Sequence, residues 1–427
     1  METDCAAAAA DSPIVPITVP STVRPRRRQS YNGPSHSRRI SGVLMFVHQS
    51  QLVYQLAPAD YSSLQQHRRE LDRLFLPTWH LVGCRGDVPR DGDFVTFELL
   101  GHPVLIHNFS GTPQAFLNVC AHRHCQLVDA RFGHRATLRC QYHAWEYGPD
   151  GRTRRIPDAG CFRPFDREQA QLQKLRLAAC GDLLFVSLVD EGPTLSEFLG
   201  DCSSIVESLT TGSWQCNWRW EYEYPCNWKL AVENTVETYH LPSLHTRTFS
   251  GIYPAESAQT HDLAGRGSTL RYDLREDARL TGVQRWFVKR LGGRSTDVYT
   301  HYLIYPHLVL TTSDLYLHAH VYLPVTPTTS RAVVRMYSFR GAGRDPWRRL
   351  LGWMIAYQGR RMNRLVQRED AGVMAAQQRG IEASPHTGCL GTREERIWAF
   401  QRYVCQQAGS QICAVDDTPK SAAANRA

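Results

Sequence analysis

The chain has 427 residues, 42% of them hydrophobic, and a formal charge of +8, which suits two globular domains of ordinary size. No stretch approaches the roughly 20 apolar residues of a membrane span, and the positive charge comes with no nucleic-acid recognition motif, so neither a membrane-crossing chain nor a nucleic-acid binder is expected. Thirteen cysteines without regular spacing read as two metal-ligating thiolates and otherwise free thiols in a reducing cytoplasm.

Residues 1–44 open on poly-Ala and carry Arg24, Arg26, Arg27 and Arg28 around Pro25, a composition that predicts a disordered basic tail. Ser37-Arg38-Arg39-Ile40 resembles a twin-arginine signal, but the apolar run after it, from Val43 to Val47, is shorter than the roughly 7–15 residues an export signal needs. Met45 is an alternative start. Residues 45–77 are read as an N-terminal helical segment of the second domain, with a helix over 60–76. Residues 78–190 are read as an all-β domain, opened by Phe94–Leu99 and Val104–Ile106 and closed by Val186–Leu188.

Within that domain, Cys120 and His122 are followed after seventeen residues by Cys140 and His143. Two thiolates and two imidazoles, one of each per loop, form the ligand set of a Rieske [2Fe–2S] cluster, with both thiolates on one iron and both imidazoles on the other. A single tetrahedral Zn²⁺ is the alternative, although zinc sites more often segregate paired cysteines from paired histidines. The words Asn118-Val119-Cys120-Ala121-His122-Arg123 and Cys140-Gln141-Tyr142-His143-Ala144-Trp145 are similar to the cluster loops of Rieske proteins, with His124 and Ala144 where those proteins more often have Gly. Cys125 reads as packing. Arg123, Arg131, Arg135 and Arg139 give the loops a charge that would attract an acidic electron donor.

Residues 191–427 form the second expected domain. Asn227 can cap a helix that runs to Pro242, which would place Glu237 and His240 on one face and return His245 from the following turn. In isolation the alternative is a surface or core histidine pair. Strands are expected at His301–Tyr305, Leu308–Thr312, Leu315–Leu323 and Ala332–Ser338. Asp345-Pro346 then opens a long helix whose buried stripe is read as Trp347, Leu350, Leu351, Met354, Met362, Leu365 and Val366. Phe249, Trp286, Phe287, Tyr299, Tyr302 and Tyr305 are candidates for an aromatic pocket that could stack an arene or cage a methylammonium.

The two constellations together resemble the α-subunit of the Rieske non-haem iron oxygenases, over roughly residues 50 to 385. The resemblance implies an α+β architecture: an all-β Rieske [2Fe–2S] domain plus a helix-grip (START-like) catalytic domain built on an antiparallel sheet. It implies that His240 and His245 hold a mononuclear Fe(II) with Asp370 as third ligand, Glu369 being the alternative. It also implies that Glu237 bridges His143 of one subunit to His240 of the next in a homotrimer. Ring dioxygenases mostly carry Asp at this position, whereas several quaternary-ammonium oxygenases carry Glu.

No dinucleotide fingerprint and no plant-type cluster motif is present, so a separate NAD(P)H-dependent reductase or ferredoxin is expected to deliver electrons through His143, Glu237 and His240 to an iron that uses O2. The expected function is a cytoplasmic oxygenase that hydroxylates or demethylates a small substrate, with a quaternary ammonium compound favoured. The alternatives are an aromatic-ring hydroxylating dioxygenase α subunit and, in another class, a Rieske electron-transfer protein without oxygenase activity.

Overall fold

The computed structural model describes residues 46–48, 52–166, 169–248, 258–276, 278–341 and 346–410. The expected tail, Met45, Phe249 and Asp345 lie outside them. Among the described residues no helix is long and apolar enough to cross a membrane.

A 3-10 turn at Pro58–Tyr61 leads into α1 (Leu64–Glu70), capped by the Ser63 side chain, and the helical path continues to Phe75, as expected for 60–76. Then come β1 (Trp79–Cys84), β2 (Asp93–Leu99), β3 (His102–Phe109), β4 (Thr112–Leu117) and β5 (Phe132–His134). They are followed by β6 (Leu138–Arg139), β7 (Glu146–Tyr147), β8 (Thr153–Arg155), β9 (Lys174–Cys180) and β10 (Leu183–Ser187). One antiparallel sheet runs β1-β10-β9-β4-β3-β2-β5, and a small sheet runs β6-β7-β8. In β3 the run Val104-Leu105-Ile106 is wholly buried because both faces are covered: Val104 and Ile106 join the main core, while Leu105 joins a second core with Cys120, Cys140 and Trp145.

The second half begins with α2 (Leu195–Leu199), α3 (Cys202–Thr210) and β11 (Trp214–Tyr224), then α4 (Trp228–Val236) and α5 (Leu241–Leu244). Next come β12 (Gln259–Asp262), β13 (Gly267–Asp273), α6 (Ala278–Arg290), β14 (Val298–Ile304), β15 (Leu308–Thr312), β16 (Tyr316–Thr326) and β17 (Thr329–Phe339), with α7 (Pro346–Ala383) and α8 (Glu395–Ala408) last. Seven antiparallel strands order as β11-β17-β16-β15-β14-β13-β12. One face of this sheet is covered by helices, since Trp220 Nε1 donates to Gln367 of α7 at 2.9 Å, Tyr316 donates to Ile355 O at 3.0 Å, and Thr235 of α4 bonds the Tyr322 hydroxyl at 2.8 Å. The architecture is α+β.

Two expectations need correction here. The helix capped by Asn227 stops at Val236; Glu237 is extended, and Pro242 sits in the first turn of α5, where its missing N–H costs nothing, so it opens a helix rather than ending one. The stripe read for α7 faces the wrong way. Trp347, Leu350 and Met354 are exposed, and the buried positions are Gly352, Ile355, Ala356, Gly359, Gln367, Asp370, Met374 and Gln378. The sheet fills the gap itself: a Cβ on Gly359 would lie 2.5 Å from both Met336 Cε and Tyr316 Cε1. Nor are all remaining thiols free, because Cys405 on α8 is disulfide-bonded.

Candidate metal centres

The first cluster loop follows β4 and the second joins β6 to β7. Both close the same way. The N–H of His124 donates to Cys120 O at 3.0 Å and that of Ala144 to Cys140 O at 3.1 Å, so each cysteine starts a tight turn ending four residues on. His124 and Ala144 both adopt φ 59°, the left-handed region that glycine enters most cheaply. That explains the Gly usual at these positions and shows this chain tolerating the strain.

Cys120 and Cys140 are buried, the His122 and His143 rings lie 4.6 Å apart, and His122 stacks on Trp145 at 4.8 Å with 2° between planes. The Tyr147 hydroxyl contacts Cys120 Sγ at 3.0 Å, a hydrogen bond that would draw charge from a thiolate ligand. Burial first, then the His143 and Arg123 charges, lower the pKa of His122 and keep the imidazole in its neutral, ligating form. Among the described residues only His240, His245 and Asp370 bring three such donors within 4.8 Å of one another. A single zinc would gather all four loop donors to about 4 Å spacing, whereas a two-iron cluster keeps its thiolate and imidazole pairs apart. Of the loop arginines, Arg131 is paired with Glu221 and Arg123 lies over the exposed Tyr142 ring.

The second centre is assembled from three elements. His240 stands just before α5, His245 just after it, and Asp370 projects from α7. Asp370 Oδ1 lies 3.0 Å from His245 Nε2 and 3.9 Å from His240 Nε2. Each imidazole has its other nitrogen on a carboxylate: His240 Nδ1 on Glu237, and His245 Nδ1 on Glu369 at 2.7 Å. An Nδ1 that donates to a carboxylate leaves the Nε2 lone pair of the neutral ring facing inward. Two such lone pairs and a buried carboxylate oxygen then meet at one point, a donor set that suits a divalent iron with open positions. Burial opposes charging His245, but Asp370 and Glu369 outweigh it and raise its pKa.

Glu369, the alternative third ligand, is therefore the orienting partner of His245, a role the sequence reading missed. Its other partner, nearer still, is Thr248, whose hydroxyl donates at 2.5 Å; an acid directly before the candidate ligating acid on one helix was the available signal. Glu237 reaches His240 not as a helical i,i+3 neighbour but through a turn, its carboxylate also accepting from the N–H groups of Tyr239 and His240. The aromatic candidates disperse: Trp286 is exposed, and Tyr305 stacks on Tyr403 of α8 at 4.5 Å. Of the candidates, Tyr299 on β14 lies on the helix-covered face of the sheet, where the other aromatic side chains include Trp220, Tyr222, Tyr316 and Tyr322 from β11 and β16.

Residues 78–173 match the family model "Rieske [2Fe-2S] domain", and residues 212–410 match "Ring hydroxylating alpha subunit (catalytic domain)". The chain is 29% identical over 177 residues to the glycine betaine monooxygenase oxygenase subunit of Pseudomonas aeruginosa (strain UCBPP-PA14), a stretch covering 41% of each chain. It is 28% identical over 201 residues to the anthranilate 1,2-dioxygenase large subunit of Acinetobacter baylyi (strain ATCC 33305 / BD413 / ADP1), covering 45% of this chain and 43% of the relative. The matched stretch is thus under half the length of these curated relatives. A solved quaternary ammonium Rieske monooxygenase superposes with TM-score 0.68 at 18% identity, covering 84% of this chain and 96% of that one. These matches, with the two donor sets, make the chain a member of the Rieske non-haem iron oxygenase α-subunit family, carrying a Rieske [2Fe–2S] domain and the family's mononuclear-iron catalytic domain.

Proposed function

We propose that the protein is a cytoplasmic oxygenase component that hydroxylates or demethylates a small organic substrate, with Cys120, His122, Cys140 and His143 holding the cluster and His240, His245 and Asp370 holding the iron. The convergence of those last three donors within 4.8 Å, in a chain that also carries the Rieske loops, is the observation that carries this reading. When bound, the cluster supplies single electrons and the iron binds and activates O2. The residues supply the rest: Glu237 and Glu369 hold the two imidazoles in the ligating orientation, and the buried sheet face under α7 keeps bulk water from the reacting carbon. Domain limits of 45–77, 78–190 and 191–427 go with this reading.

The working form is a homotrimer in which His143 of one subunit meets Glu237 of the next, fed by a separate NAD(P)H-dependent reductase or ferredoxin. Support comes from exposure: Tyr142, beside His143, is 58% exposed and Tyr239, beside His240, is 62% exposed. A cavity of about 630 Å³ on the second surface is lined by Glu237, His240, His386, Leu390 and Glu394. Within one chain the ring contacts of His143 are with His122 and Tyr142, and the bonds of Glu237 are with Tyr239 and His240.

A quaternary ammonium substrate is favoured by Glu at position 237 and by the glycine betaine relative. The anthranilate relative supports the aromatic alternative. The test is iron analysis and EPR of the reduced protein, with oxygen uptake on both substrate types. His240→Ala is expected to lose the mononuclear iron and oxygen uptake while keeping the Rieske signal; stoichiometric zinc in anaerobically prepared protein would end this reading.

A further inference from the structure

Arg396, on α8, is fully buried, and every acceptor bonded to it is neutral. Its Nε donates to Ser268 Oγ at 3.1 Å, Nη1 to Val236 O at 3.0 Å, and Nη2 to Ser268 O, His301 Nδ1 and His301 O at 3.1, 3.1 and 3.3 Å. The adjacent Glu395 is occupied elsewhere, accepting from the N–H groups of Val47 and His48 and bonding His261 Nδ1 at 2.8 Å. Burial lowers the Arg396 pKa to about 10, a value that leaves the guanidinium charged at neutral pH. Glu395 acts on this cation only through space, and a buried cation with no carboxylate bonded to it is costly.

The same guanidinium settles the tautomer of His301. Arginine can only donate, so Nδ1 of His301 must accept and its proton sits on Nε2. That Nε2–H is buried and has no hydrogen-bond partner among the described residues, and a buried donor left so is costly. Burial, then the Arg396 and His320 charges, keep the ring neutral. His301 lies on the helix-covered face of the sheet. Its strand neighbour Leu303 falls in the cross-strand row Val309, His320, Val334, Trp220, and Trp220 is the residue bonded to α7. His318 Nε2 and His320 Nδ1, on the same face, are also buried without partners.

This face leads to the metal centre. Arg396 is anchored to the carbonyl of Val236, directly before Glu237, and the Asp370 carboxylate acts on the hydroxyl of Tyr322, two residues along β16 from His320. The structure therefore holds, on the helix-covered face that leads to these donors, a buried guanidinium with no carboxylate bonded to it and a polarised N–H lacking an acceptor among the described residues.

We propose that the Arg396–His301 pair anchors a carboxylate of the substrate, His301 Nε2–H donating to it and the Arg396 guanidinium supplying positive charge behind the ring, so that the substrate class is a small carboxylate. Calling the ligand a substrate rests on the oxygenase reading; the anion site itself does not. Charge-assisted bonds to a carboxylate are roughly twice as strong as neutral ones, so removing the charge from the ligand should be felt at this site.

The experiment is calorimetric binding to the full-length iron-loaded protein with two matched pairs, glycine betaine against its methyl ester and benzoate against benzamide. Wild type is expected to prefer the carboxylate of at least one pair by about tenfold or more. His301→Leu should abolish that preference while leaving the ester or amide within about threefold, and His301→Gln, whose amide can both accept from Arg396 and donate onward, should retain it. The proposal fails if wild type shows no preference in either pair, if His301→Leu keeps the preference or loses both members equally, or if His301→Gln loses it as fully as Leu. Should His301→Leu not fold, the wild-type pairs and His301→Gln decide. Iron content and oxygen uptake are recorded separately: a preserved carboxylate preference without oxygen uptake would overturn the oxygenase reading and leave the anion site standing.

Discussion

Each histidine proposed to hold the iron is held by its own carboxylate, and the two carboxylates sit in different surroundings. Glu237 reaches out toward the surface cavity, whereas Glu369 is held between His245 and the Thr248 hydroxyl. Glu369→Ala removes the orienting bond to His245 together with the Thr248 contact while leaving the three donors in place, so iron affinity is expected to fall by about 10–100-fold with the Rieske EPR signal unchanged; an unaltered iron off-rate would show that His245 needs no such support. A second buried acid bears on stability rather than chemistry. Glu233 accepts from Tyr61 at 2.6 Å and from Gln401 at 3.0 Å, and burial pushes its pKa up to about 7 from 4.5. The folded protein then binds a proton that the unfolded chain has released, so the contribution of Glu233 to stability is full below pH 4.5, falls as pH rises to 7, and is flat above. The loss is on the order of 3 kcal/mol. Glu233→Gln copies the protonated form and should match wild type at low pH while melting higher at pH 8. A gap that does not change with pH would contradict this.

At the scale of elements, α7 shows what sequence can and cannot disclose. The candidate donor sets were legible because their spacing is local: Cys120 with His122, Cys140 with His143, and His240 with His245 are each brought together by one loop or turn. Asp370 was legible only through family likeness. The face that α7 buries was not legible, since the usual rule that large apolar residues point inward fails where the sheet supplies the bulk. Tyr316 and Met336 fill the gap, small residues on α7 accept them, and Trp347, Leu350, Trp353 and Met354 are left exposed. The aromatic pocket candidates divide for a related reason, because alternation along a strand does not say which face a helix will cover: Tyr299 lies on the covered face, whereas Trp286 is exposed. Two glycines on this helix should therefore respond oppositely to alanine. Gly372 has nothing within 4 Å of a would-be Cβ, so Gly372→Ala should stabilise by about 0.5–1 kcal/mol. Gly359→Ala should destabilise by about 1–3 kcal/mol through overpacking. Denaturant midpoints compare them directly, and a stabilising Gly359→Ala would mean that the sheet face yields.

The whole molecule raises the question of where electrons travel. A carboxylate such as Glu237 can accept from two imidazoles at once, yet within one chain its only imidazole partner among the described contacts is His240. If His143 of a neighbouring subunit is the other, two disabled proteins should rescue each other. His143→Ala keeps the iron ligands and lacks an intact cluster; His240→Ala keeps the cluster ligands and lacks the iron site. Each alone should be inactive. After co-expression at equal levels, three-quarters of randomly assembled cyclic trimers are mixed, and each mixed ring holds one intact cluster facing one intact iron site out of three, so about a quarter of wild-type activity per chain is expected. A pathway confined to one subunit predicts none at any mixing ratio. Size-exclusion chromatography of the mixture supplies the control, since inactive mixed trimers would exclude transfer between subunits, whereas activity near a quarter that disappears when Glu237→Gln is added to the His143→Ala chain would locate the crossing at Glu237.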